Sequence, residues 1–179
     1  TYDVNIMEIE ESYIPALKTE PFVSNLDNYR SKLILEYSYF KGPNQGIKSY
    51  ATTWESVSET IYKSSAFGGQ LDKKNYFEKE LDALISGIED PTEKVGVIYN
   101  FIRNKMTWNG NLGFGSRNGV KKAYKDKKGN VGDINLMLTA ALQYAGLKAN
   151  PVLTSTRANG IPVAATISGF NYVISAVEI

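Results

Sequence analysis

The run Gly129-Asn130-Val131-Gly132-Asp133-Ile134-Asn135-Leu136-Met137-Leu138-Thr139-Ala140-Ala141-Leu142-Gln143-Tyr144-Ala145-Gly146 decides the fold. Ile134, Met137, Leu138, Ala141 and Leu142 recur at helical spacing, and the apolar side chains cover more than one face. Such a helix must be surrounded by protein. The spacing therefore predicts a buried central helix opening at Asp133 and stopped by Gly146. Ala149-Asn150-Pro151-Val152-Leu153-Thr154 follows, and Phe170 to Ile179 reads as a terminal strand. That strand ends without a turn, and the chain opens on Thr1 rather than methionine. Both ends are expected to be cut from something longer.

On the N-terminal side of this run, three helix starts can be read. The strongest is Asp90 as a cap, Pro91 at the first helical position and Glu93 completing a capping box. Val95, Ile98, Phe101 and Ile102 then form an apolar stripe that ends near Met106. Phe77, Leu81, Leu84 and Ile85 mark an earlier helix that Gly87 can terminate. Thr52 and Glu55 form a capping box ahead of Trp54, Val57 and Ile61. Residues 107–132, with six glycines, read as a loop-rich span. Three helices, a buried helix and then strands define an α+β domain rather than alternating βαβ units.

The first fifty residues differ. Tyr2, Val4 and Ile6 alternate, as do Leu33, Leu35, Tyr37 and Tyr39. Between them Tyr13 to Phe22 carries two prolines and cannot be a central strand. The breaker-rich turn from Lys41 to Gly46 closes the region. Two units are expected: residues 1–50 as the end of a β-rich domain, and residues 51–179 as the α+β domain.

Composition restricts the chemistry. The chain has 179 residues with 20 basic and 19 acidic side chains, and neither cysteine nor histidine. That excludes thiolate nucleophiles, disulfides, Ser-His-Asp triads, and thiolate or imidazole metal sites. A net charge of +1 gives no global attraction to nucleic acid, and none is expected as a partner. No apolar run is long enough to span a membrane. Lys121, Lys122, Lys125, Lys127 and Lys128 read as a solvated basic face. The glycine-rich stretch from Trp108 to Gly119 lacks the Gly-Lys-Ser/Thr of a phosphate loop and reads as a plain mobile loop. Clustered acids, Glu8, Glu10 and Glu11 or Glu78 and Glu80, leave carboxylate chemistry open, although sequence neighbours do not establish the spacing a glycosidase needs. No EF-hand spacing is present, so neither metal nor cofactor is expected. Twelve tyrosines and two tryptophans supply side chains that stack on sugars or anchor partners.

The run from Gly129 to Val152 resembles the core of the transglutaminase-like superfamily, whose pattern is Gly-Asp-Cys-x-Asp followed by an apolar helix and a strand. Phe170-Asn171-Tyr172-Val173-Ile174 resembles the family's histidine strand, and Lys94 to Ile102 is similar to the helix that opens the domain. Further left, Ile14 to Phe22 and Asn28-Tyr29-Arg30 resemble the end of a β-rich domain of unknown function that precedes such cores in bacterial envelope proteins. The resemblance implies an α+β transglutaminase-like core, with helices packed on an antiparallel sheet, and a periplasmic or cell-envelope location. It also places Val131 at the cysteine position and Tyr172 at the histidine position, with the third triad member beyond Ile179. A valine methyl cannot attack a carboxamide, and a tyrosine is a poor general base at neutral pH. The implied function is a catalytically inactive domain that binds a protein, peptide or glycan, or one that serves as a structural module. Trp108, Asn130, Asp133 and Asn171 are the cleft positions. A carboxylate-based glycan hydrolase using the same cleft is the alternative.

Overall fold

A computed structural model of the chain describes residues 6, 8–33, 39–42, 46–49 and 53–179. The elements in order are β1 (Tyr39–Lys41), β2 (Ile47–Ser49), α1 (Trp54–Lys63), α2 (Gly68–Leu71), α3 (Glu78–Ile85), α4 (Pro91–Lys105), β3 (Thr107–Trp108), α5 (Val120–Asp126), β4 (Lys128–Gly129), α6 (Val131–Tyr144), β5 (Lys148–Thr154) and β6 (Tyr172–Glu178). Short 3-10 turns occupy Leu26–Asn28 and Ile167–Gly169.

The α6 helix is central, as its composition requires. Nine of its fourteen residues are buried, including Leu136, Met137, Ala140 and Ala141, and it touches α2, α4, α5, β5 and β6. The β5 and β6 strands pair antiparallel from Lys148↔Glu178 to Thr154↔Tyr172. Their alternation points Ala149 and Val173 inward. A polar pin joins helix to strand: the Thr139 and Ser175 hydroxyls are hydrogen-bonded to each other at 2.6 Å, and the one that accepts in this pair donates to the Asn135 carbonyl, which lies 2.9–3.0 Å from both. Around α6 the fully buried Val57, Phe77, Leu81, Ile98 and Val120 complete one core. Each such side chain contributes about 1.5–3 kcal/mol of burial. The mixed class and the helix-on-antiparallel-sheet arrangement are those expected.

Several boundaries move. The α6 helix opens at Val131, two residues before Asp133, because Asn130 caps it and Gly132 lies inside the first turn. The box before α1 uses Thr53 and Ser56 rather than Thr52 and Glu55; Thr52 itself lies outside the described residues. The Asp90 cap forms, with its carboxylate accepting from the Glu93 N–H at 2.8 Å, but the Glu93 side chain takes no bond from the Asp90 N–H, so the expected box is only half made. Gly87 and Gly146 follow their helices at φ of +77° and +80°. Residues 107–132 are not simply loop. They contain α5 and a parallel pairing of β3 with β4. Val120, Ala123 and Tyr124 are buried at helical spacing, but the lysines around them mask the stripe.

In the N-terminal region, Tyr2, Val4, Leu35 and Tyr37 lie outside the described residues, and Ile6 and Leu33 are exposed and not in strands. Residues 8–20 form no regular element. Tyr39 opens β1 of a short antiparallel hairpin. The segment around Leu26–Asn28 docks onto the loop before β6. Asn25 Nδ2 donates to the Arg157 carbonyl at 2.8 Å, and Asn28 Oδ1 accepts from the Ile161 N–H at 2.9 Å.

Candidate functional site

The start of α6 is built from local chemistry buried by tertiary contact. Asn130 Oδ1 accepts from the Asp133 N–H at 2.7 Å, and Asp133 Oδ2 accepts from the Asn130 N–H at 2.9 Å. Asp133 Oδ1 takes a short hydrogen bond from Ser116 Oγ, and Asn130 Nδ2 donates to the Gly115 carbonyl at 3.0 Å. Asn130, Asp133 and Ser116 are all buried. A negative side chain in the first turn is also favoured by the helix dipole. The helix backbone lies directly on the 113–116 loop. A Cβ added at Gly132 would stand 2.5 Å from the Gly115 carbonyl oxygen. The stretch from Trp108 to Gly119, expected to be a plain loop, is irregular but pinned along its length. Gly113 donates to the Asn171 carbonyl at 2.8 Å, and Ser116 donates to the Ala66 carbonyl at 2.8 Å.

Val131 is the first helical residue, 4% exposed, and its N–H donates to the Asn111 carbonyl at 3.3 Å. Tyr172 opens β6 opposite Thr154 and packs half-buried against the core. The two positions face a common strip of backbone. Residues 111–113 bond Val131 through Asn111 and the neighbour of Tyr172 through Gly113. Asn171 is itself fixed, accepting from the Thr156 N–H and donating to the Thr156 hydroxyl. Trp108 is 53% exposed, and its Nε1 donates to the Asn111 carbonyl at 2.9 Å. Thus Trp108, Asn130, Val131, Asp133, Asn171 and Tyr172 cluster around one loop, with Asn130, Asp133 and Asn171 already occupied by hydrogen bonds within the fold.

A polar pocket of about 180 Å³ opens beside this helix start. Its walls include Asn109, Asn111, Arg117, Asn118, Lys122 and Lys128, with Asp126, Asn130 and Asp133 completing them. Sequence reasoning placed Lys122 and Lys128 on a solvated face and passed over Arg117 and Asn118. Only the return of the chain through α5 and β4 brings them together. The acids singled out in the sequence do not meet here. Glu8, Glu10 and Glu11 are exposed, and Glu80 sits elsewhere, bound by Lys105 at 2.6 Å and by the Tyr124 hydroxyl at 2.8 Å. The Lys105 and Tyr124 hydrogen bonds hold the Glu80 carboxyl below its usual range. Among the described residues no group of three or more Asp, Glu, His or Cys side chains is arranged to hold a metal. No helix among them is long and apolar enough to cross a membrane.

One buried polar atom near this region has no partner among the described residues, the hydroxyl of Tyr76. Burial pushes its phenol well above the usual range, with Tyr124 and Asp133 adding to the effect.

A buried helix thus starts beneath a pinned loop and is backed by an antiparallel strand pair. Residues 79–175, more than half of the chain, match the transglutaminase-like superfamily, and the chain belongs to that superfamily. The same fold occurs in a solved structure from Parabacteroides distasonis ATCC 8503, described as a candidate protease. It superposes with a TM-score of 0.55 at 13% sequence identity, covering 80% of this chain and 29% of the other. The chain thus spans less than a third of that protein's length. No curated protein matches the chain.

Proposed function

We propose that this chain is a non-catalytic transglutaminase-like domain that binds a peptide or glycan beside the start of its central helix. One observation carries the reading. At the position where the resemblance puts the family's nucleophile stands the buried hydrocarbon of Val131, with its N–H committed to Asn111. At the histidine position stands Tyr172, and the whole chain contains neither cysteine nor histidine. With no thiolate and no imidazole, the acyl transfer typical of such a core has no nucleophile and no base at neutral pH. The polar pocket next to the same helix start supports binding as the use to which the fold is put. A cell-envelope location belongs to the same proposal, and membrane and periplasmic fractionation with an antibody tests it.

The decisive experiment incubates the chain with a primary-amine donor and a glutamine peptide, and separately with unlabelled peptide substrates. Neither cross-linking nor cleavage is expected. Turnover above a heat-inactivated control overturns the reading.

A second reading, hydrolysis of a glycan by carboxylates, draws on Asp126 and Asp133 lining one pocket. Asp133, however, is buried and spends both oxygens on Ser116 and Asn130. Release of reducing ends from oligosaccharides, abolished by Asp126→Asn, is the result that reading requires.

A further inference from the structure

We propose that the polar pocket beside α6 binds one acidic sugar unit, a ring bearing a carboxylate, as the anchoring residue of a glycan. The inference rests on the binding-domain reading and narrows it.

Size comes first. At about 180 Å³ the pocket is smaller than the roughly 300–1,000 Å³ of sites for drug-sized ligands. It holds one small ring rather than an extended chain.

Charge comes second. Lys122 is spent on Asp126 at 2.5 Å, whereas Arg117 and Lys128 make no ion pair among the described residues. Two cations without a carboxylate of their own, at one concave polar surface, favour an anion.

The remaining wall selects a polyol. The side chains of Asn111 and Asn118 and the Nδ2 of Asn109 make no hydrogen bond within the described residues, while Asn109 Oδ1 is fixed by the Asn111 N–H at 2.9 Å. Amides offer donors and acceptors to ring hydroxyls. An acidic peptide side chain would satisfy the cations but would offer no ring hydroxyls to the three free amides.

The test titrates the 179-residue chain with trigalacturonate, its methyl ester and a Glu/Ser hexapeptide by calorimetry at low and high salt. Trigalacturonate is expected to bind at least about tenfold more tightly than the ester, with affinity falling as salt rises. Arg117→Gln and Lys128→Gln are each expected to weaken it about tenfold. Lys125→Gln, on α5 but outside the pocket, should leave it unchanged. Circular dichroism checks that each variant is folded. Equal binding of the ester, tighter binding of the peptide, indifference to both cation variants, or no binding of any probe overturns the acidic-sugar assignment alone. Cross-linking or cleavage in the assay of the previous section overturns the binding-domain reading beneath it.

Discussion

Two capping boxes in this chain have the same chemistry and different consequences. Before α1, Thr53 and Ser56 bond each other's backbone N–H groups at 3.2 and 3.0 Å, on an exposed helix start. Before α6, Asn130 and Asp133 do the same at 2.7 and 2.9 Å, but they are buried and also hold Ser116 and Gly115. The first box only opens a helix. The second joins a helix to the loop that reaches both Val131 and Asn171. An interaction exposed to water competes with solvent, whereas a buried one leaves orphaned groups when it is broken.

The comparison can be attacked where it predicts most. Asp133→Ala strips acceptors from Ser116 and the Asn130 N–H in a buried setting and is expected to cost about 3 kcal/mol. Urea denaturation followed by circular dichroism measures it, and a loss no larger than that of the exposed box removes the contrast. Gly132→Ala tests the close packing that buries the second box. Its Cβ would meet backbone of Gly115 at 2.5–2.7 Å, and a loss of about 2 kcal/mol is expected from thermal or urea unfolding. Alanine's better helix propensity, worth about 1 kcal/mol, makes a neutral outcome evidence that the loop yields readily.

Thr53→Ala sharpens the other side of the comparison, with an expected cost of about 1 kcal/mol or less. The smallest effect belongs to Glu80, a half-exposed carboxylate bonded to Lys105 and Tyr124. Hydrogen bonding to Lys105, and then to Tyr124, lowers the folded-state pKa of Glu80. Its contribution is therefore full above the ordinary carboxylate range and is lost as pH falls through the folded-state value. Solvent screening limits it to a few tenths of a kcal/mol. The stability gap between wild type and Glu80→Gln, followed by urea unfolding from neutral to acid pH, should shrink on acidification. A gap that widens contradicts the assignment.

Much of the helical half was legible beforehand. Asp90, Pro91 and the apolar stripe to Ile102 act through neighbours within a few residues, and α4 forms where they place it. The α5 helix was hidden because its buried residues, Val120, Ala123 and Tyr124, are interleaved with lysines that lower the local apolar signal. The true start of α6 was missed for a different reason. Gly132 looks like a helix breaker until Gly115 is seen lying against it. Asn130, Asp133, Val131 and Tyr172 were recognisable as positions in a pattern, but not their occupancy by hydrogen bonds, which depends on partners such as Ser116 and Asn111.

The absence of cysteine and histidine, the buried central helix and the α+β order were determined by sequence alone, because composition and local periodicity act over short chain distances. Tertiary structure alone decided that residues 111–113 join the start of α6 to the strand bearing Tyr172. It likewise decided that Arg117 and Lys128 share a pocket with four asparagines. Those encounters depend on how β3, α5 and β4 return the chain to one place, and no local spacing encodes where separate segments meet.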